Sequence, residues 1–186
     1  MSYSQITKKA LAGAMKELME TQSFEKIRVG DVCEKCGMNR KSFYYHFRDK
    51  YDLVNWIYYT EFVDHMQKRE YQTIWDFMED VCAYLYENKA FYANALQVRG
   101  QNSLSESFEA VFQSVFLSYY KDVFPRDEGR HFYAAFLTDA VKAAILRWLT
   151  AEEELAPEEF VALLKNMVKA LFQKMLREQE DEKKED

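Results

Sequence analysis

Two prolines and five glycines in 186 residues are too few turn residues for a sheet. A βαβ fold or a β-sandwich turns every ten residues or so, and those turns need Gly, Pro, Asn or Asp to reach their backbone angles without strain. Here the only prolines, Pro125 and Pro157, lie in the last third of the chain, so long stretches run without a breaker. The expected fold is therefore all-α. Hydrophobic residues make up 48% of the chain, enough to fill a core and to exclude disorder throughout. No run approaches the length of apolar sequence, about 18 residues, that crosses a bilayer. The first twenty residues carry Lys8, Lys9, Lys16 and Glu17 with no apolar run ahead of a small-residue cleavage site, so no signal peptide is expected. Three cysteines, an odd number, suit a reducing compartment, and a cytoplasmic protein is expected.

Apolar residues recurring at three- and four-residue steps predict about nine helices. Their expected spans are 4–21, 29–36, 40–47, 49–66, 71–88, 89–100, 103–122, 127–150 and 157–178. Gly37 offers a positive φ between the second and third, Asp49 can cap the fourth, and Ser103 with Glu106 has capping-box spacing before the seventh. Three regions follow: a head over 1–50, a helical body over 51–178, and a charged tail over 179–186 expected to be disordered.

Charge divides the same way. The first 50 residues hold ten Lys/Arg against six Asp/Glu, whereas the remaining 136 hold 15 against 25. A basic head on an acidic body suits a head that meets a polyanion. Within the head, two helices of about two turns joined by a short glycine turn have helix-turn-helix spacing. The second, with its flanks MNRKSFYYHFRDK, has Phe43 and Phe47 four apart to anchor an inner face. Asn39, Arg40, Lys41, Ser42, Tyr45 and His46 stand on the outer one. That division is what a recognition helix in the major groove of double-stranded DNA requires.

The run from Phe24 to Leu53, with Gly37, then Tyr44-Tyr45-His46-Phe47, Lys50 and Leu53, resembles the DNA-binding head of TetR-type transcriptional regulators. The segment FYYHFRDKYDLVNWIY further resembles the branch of that family containing the activator of dihydroxyacetone kinase genes. The resemblance implies DNA backbone and thymine-methyl contacts for Tyr44, Tyr45 and His46, and a phosphate contact for Lys50. It places Asn39, Arg40, Lys41 and Ser42 at bases and phosphates. Two positions depart from the family pattern: Arg28 stands where a threonine is usual, and Lys41 where a glycine or small residue is usual. Tyr44 has a second reading, as packing between the first and third helices.

Nothing in the sequence argues for catalysis, a cofactor or a metal. Cys33 and Cys36 share a helix face, but no second Cys/His pair completes the four ligands of a structural zinc, so both are expected to pack. No phosphate-loop, dinucleotide, nucleophile-elbow or zinc-protease motif is present.

The body is rich in aromatics and methionines, which either line an apolar cavity or fill a core. Candidate ligand contacts are Trp56, Phe62, His65, Met66, Met78, Tyr86, Arg99, Phe112 and Phe116. The last two helices carry a regular apolar stripe (Phe160, Leu163, Leu164, Met167, Val168, Leu171) and a run of alanines (Ala134, Ala135, Ala140, Ala143, Ala144). Such helices form either a four-helix homodimer interface, which the resemblance also implies, or part of the protomer's own core. The expected protein is a homodimeric regulator on a partly palindromic operator, controlled by a small-molecule effector. The alternatives are an activator controlled by a protein partner and, last, a helical enzyme.

Overall fold

The computed structural model describes residues 3–98, 103–119, 121 and 129–185, and among them every regular element is a helix. The head comprises α1 (Tyr3–Met19), α2 (Val29–Lys35) and α3 (Arg40–His46). Then comes α4, which starts as an α-helix (Lys50–Ile57), passes through a π-helical stretch (Tyr58–Val63) and closes with one α turn (Asp64–Gln67). The rest of the body is α5 (Ile74–Glu87), α6 (Lys89–Ala95), α7 (Leu104–Tyr119), α8 (Arg130–Thr150) and α9 (Pro157–Glu185).

The head is punctuated by local chemistry. Gly37 takes φ 69° and ends α2, a backbone angle that costs glycine nothing. Asn39 Oδ1 caps α3 by accepting from the Ser42 N–H at 2.8 Å, and Asp49 Oδ1 caps α4 from the Asp52 N–H at 2.8 Å. Each such cap is worth about 1 kcal/mol. Leu11, Met15, Val32, Phe43 and Phe47 are buried together, so α1 braces the α2–α3 pair from behind.

The fourth helix was expected to be continuous over 49–66, and the π-helical turn within it has a packing reason. Buried residues follow four-residue steps through Val54, Tyr58, Phe62 and Met66. In an α-helix of 3.6 residues per turn such a row drifts by roughly 40° per step, and one wider turn cancels the drift. Tyr58 and Phe62 thereby stack at 5.1 Å and both stay fully buried. The Tyr58 hydroxyl has no hydrogen-bond partner among the described residues, and its burial raises its pKa well above that of a free tyrosine.

Other boundaries shift for stated reasons. The α5 helix starts at Ile74 rather than 71, because Thr73 caps it: Thr73 Oγ1 accepts from the Asp76 N–H, and Asp76 Oδ2 accepts from the Thr73 N–H. The α6 helix ends at Ala95 rather than 100. In α8 the helix begins at Arg130, after Gly129 at φ 93°. The charged stretch from 179 onward, expected to be disordered, continues α9 to Glu185.

In the body, α5 packs on α9 and α7 on α8. Trp148 joins three of these helices: it stacks on Phe160 at 4.5 Å and on Tyr86 at 5.6 Å, and its indole N–H donates to the Leu155 carbonyl at 2.9 Å. Lys142 of α8 reaches Ser105 and Glu109 of α7. Asn55 of α4 accepts from the Ser107 hydroxyl of α7 at 2.9 Å.

Candidate nucleic-acid interface and effector cavity

With Phe43 and Phe47 held inside, the remaining α3 side chains are turned outward. Tyr45 is 83% exposed and Tyr44 58%, so Tyr44 is not packed between α1 and α3. Arg40 and Lys41 are exposed, while Ser42 and His46 are partly so. Asn39 faces solvent too, but its side-chain oxygen already caps α3, which leaves its amide protons for a partner. Arg28 is exposed at the start of α2, where its backbone N–H donates to Asp31 Oδ2 at 2.7 Å. The Arg40 guanidinium lies against Gly30, so close that a Cβ there would stand 2.6 Å from it. The absent side chain thus lets Arg40 fold across the first turn of α2.

Lys50, the expected phosphate contact, is engaged within the head in this structure. Its ammonium donates to the carbonyls of Phe24, Glu25 and Ile27 at 2.7, 3.1 and 2.8 Å, and it sits 4.4 Å above the Phe24 ring. An ammonium has three protons, and all three are taken. Burial lowers its pKa from the usual lysine value, an effect opposed by the nearby charges of Glu25 and Asp31. Lys50 therefore holds the α1–α2 loop onto the start of α4.

Cys33 is buried and Cys36 half-buried, with the Cys36 thiol directed at the Cys33 carbonyl. Burial raises the pKa of both, and it pushes that of Cys82 in α5 to about 12. These thiols are packing groups rather than nucleophiles. Among the described residues no group of three His, Cys, Asp or Glu could hold a metal ion, and no helix is long and apolar enough to cross a membrane.

A cavity of about 570 Å³ opens in the body between the end of α4, the 68–73 loop, the start of α5 and the second half of α7. Phe62, Val63, Met66, Ile74, Phe77, Val111 and Val115 give it apolar walls, and Ser114, Ser118, Gln67 and Thr73 supply polar groups. At its edge Asp80 ties the loop down, accepting from Arg69 at 2.6 Å and from the Tyr71 hydroxyl at 2.6 Å, with His65 Nε2 at 3.3 Å. Burial and that bond to a carboxylate both raise the Tyr71 pKa, so Tyr71 remains a donor.

Of the eight expected ligand contacts among the described residues, Phe62 and Met66 line this cavity. Trp56 instead packs edge-on against Phe47 of the head at 5.8 Å. Tyr86 belongs to the Trp148 stack, and His65 lies at 5.0 Å against Tyr84 and beside Asp80. Met78, Phe112 and Phe116 are core residues, Phe112 being stacked on Phe108 at 4.1 Å. Arg99 lies outside the described residues. The α7 wall was missed although it has a sequence signal. Val111, Ser114, Val115 and Ser118 repeat at three- and four-residue steps, beside Phe112 and Phe116 of the expected contacts.

The chain is similar to known transcriptional regulators in sequence and in fold. The family model "Bacterial regulatory proteins, tetR family" matches residues 11–57, and "Transcriptional regulator C-terminal region" matches residues 72–183. The dhaKLM operon transcriptional activator DhaS of Lactococcus lactis is 30% identical over 93 residues, half of this chain and half of that protein. An HTH-type transcriptional regulator of Staphylococcus aureus strain MRSA252 is 27% identical over 69% of this chain and 72% of its own length. Among solved structures, a TetR regulator from Streptococcus agalactiae superposes with a TM-score of 0.66 at 20% identity, covering 89% of this chain and 94% of that one. A dihydroxyacetone kinase operon activator, DhaS, superposes with a TM-score of 0.63 at 20% identity, covering 91% and 96%.

Proposed function

Because the chain belongs to the TetR family of bacterial transcriptional regulators, we propose that it works in the cytoplasm as a homodimer, with its two heads in successive major grooves of a partly palindromic operator. A member of that family is a DNA-binding regulator and not an enzyme. The observation that carries the reading is the outer face of α3, where Tyr44 and Tyr45 stand exposed between cationic side chains while Phe43 and Phe47 anchor the helix from behind. Arg28, Arg40 and Lys41 supply charge to phosphates. Ser42, Tyr44, Tyr45, His46 and the Asn39 amide supply donors and ring edges to the groove. Lys50 contributes by shaping the head.

Dimerisation is supported by what α8 and α9 leave uncovered. On α8 Phe132 and Phe136 are 69% and 61% exposed, and on α9 Leu163, Met167, Val168 and Leu171 are exposed. An apolar helix face that its own protomer does not cover favours an interface over the intramolecular core. For the effector, the cavity favours a small, mainly apolar molecule that accepts or donates a few hydrogen bonds to Ser114, Ser118 and Gln67. Such a molecule regulates only by binding one body conformation better than the other. Control by a protein partner is the second reading, because the open cavity favours a small molecule.

The test is mobility shift of the purified protein on duplex fragments from its own gene neighbourhood, at two salt concentrations. A discrete shift that survives competitor DNA is expected. Binding that competitor erases and salt abolishes would refute a sequence-specific regulator.

A further inference from the structure

Nine residues, Glu20 to Arg28, connect α1 to α2, and this loop is held from two sides by side chains distant in sequence. Lys50 takes its carbonyls from the head side. From the body side comes Asn94, on α6. Its Oδ1 accepts from the Phe24 N–H at 2.8 Å, and its Nδ2 donates to the Met19 carbonyl at 3.2 Å and the Gln22 carbonyl at 2.6 Å. An asparagine amide has one acceptor oxygen and two donor protons, and all are engaged. The carbonyls it serves lie at or just past the end of α1, where a helix runs out of internal partners.

Phe24 is the point where the two grips meet. Its N–H is bonded to the body through Asn94 and its C=O to the head through Lys50. Its buried ring packs edge-on against Tyr51 at 5.0 Å. A second tie runs nearby, from Lys16 on α1 to Glu61 in the π-helical turn of α4 at 2.6 Å. That pair is partly solvated and therefore weak. The neutral amide of Asn94, with three bonds fixed in direction, is the stiffer of the two.

We propose that Asn94 is a positioning residue for operator binding: by clasping the α1–α2 loop it sets the angle of the head on the body, without touching DNA. This rests on the homodimeric regulator reading above. A dimer gains its operator affinity by engaging two half-sites at once, and that gain depends on the second head already pointing at its groove. A head released to swing must be ordered at each binding event, which costs the second contact and leaves the first intact.

The experiment uses duplexes selected by the wild-type full-length protein from a random pool, compared with the same duplexes reduced to one half-site. In the wild type, the full site is expected to bind far more tightly than the half-site. Asn94→Ala is expected to lower full-site affinity about tenfold, with half-site affinity unchanged within about twofold and helical circular dichroism unaltered. Asn94→Asp keeps the acceptor but turns a carboxylate oxygen toward two carbonyls, so its full-to-half ratio should fall at least as far. An unchanged ratio in both variants overturns the proposal. So does a parallel fall at full and half sites, which would mean that the amide only stabilises the head. A wild type that selects no sequence, or that binds half-sites as tightly as full ones, refutes the regulator reading and this proposal with it.

Discussion

Two faces of the molecule expose aromatic rings, and they differ in what stands beside them. On α3 and just past its end, Tyr44 and Tyr45 are flanked by Arg40, Lys41 and Arg48. On α8, Phe132 and Phe136 share the helix with exposed Ala140 and Ala143, and α9 exposes Leu163, Met167, Leu171, Ala162 and Ala170. Rings among cations suit a polyanion, because the charges meet phosphate while the hydroxyls remain usable for hydrogen bonds. Rings among methyl groups suit another helix face, because small residues allow close approach and the apolar area leaves water on contact. Exposed aromatic area alone would not have told these surfaces apart. Their polar surroundings do.

The largest expected effect comes from putting a charge on the second face. Phe136→Glu should weaken self-association by about a hundredfold or more, since a buried carboxylate without a partner costs several kcal/mol. Sedimentation velocity over a range of concentrations reads this directly, and circular dichroism should show the helices intact. Operator affinity should fall with the dimer. A variant that associates as well as the wild type would move the interface elsewhere and break the contrast between the two faces.

On the first face, Lys41→Ala should weaken binding to operator and random duplex alike by about 5–10-fold, and reduce the slope of log affinity against log salt by about one. The dimer constant should not move. If Lys41→Ala instead changed which sequences are selected while leaving the salt slope intact, the lysine would be reading bases rather than phosphates.

How far each face could be read in advance follows from the distances over which it is built. Asn39 and Asp49 cap helices using N–H groups three residues away, and Gly37 turns the chain by itself, so the head's outline was readable residue by residue. The carbonyl bonds of Lys50 were not readable that way, because its three partners lie 23 to 26 residues upstream and only the folded head brings them together. The cavity was less legible still. Its walls come from two segments, 62–77 and 110–119, and an aromatic facing a cavity has the same spacing as one facing a core. Phe62 and Phe112 show this: both are buried ring-bearing residues on amphipathic helices, yet only Phe62 borders the open space. Asn94 carried no signal at all, since a lone polar residue on a short helix looks like solvated surface until the α1–α2 loop is seen beneath it.

The smallest effect on DNA binding, and the sharpest test of what each head cation does, is expected from Lys50→Ala. Lys41 and Lys50 are both lysines of the head, nine residues apart, but one ammonium is exposed and the other is bonded to three carbonyls. Removing the second deletes charge-assisted hydrogen bonds worth about 1–3 kcal/mol together, after water replaces part of what is lost. For a chain of this length, that corresponds to a fall of roughly 2–12 °C in Tm. The salt slope should stay at the wild-type value, because no phosphate loses a partner. Lys41→Ala should do the reverse, lowering the slope with little change in Tm, as expected of an exposed side chain. A Lys50→Ala protein with an unaltered Tm and a reduced slope would mean that the ammonium leaves the Phe24, Glu25 and Ile27 carbonyls for a phosphate when DNA arrives.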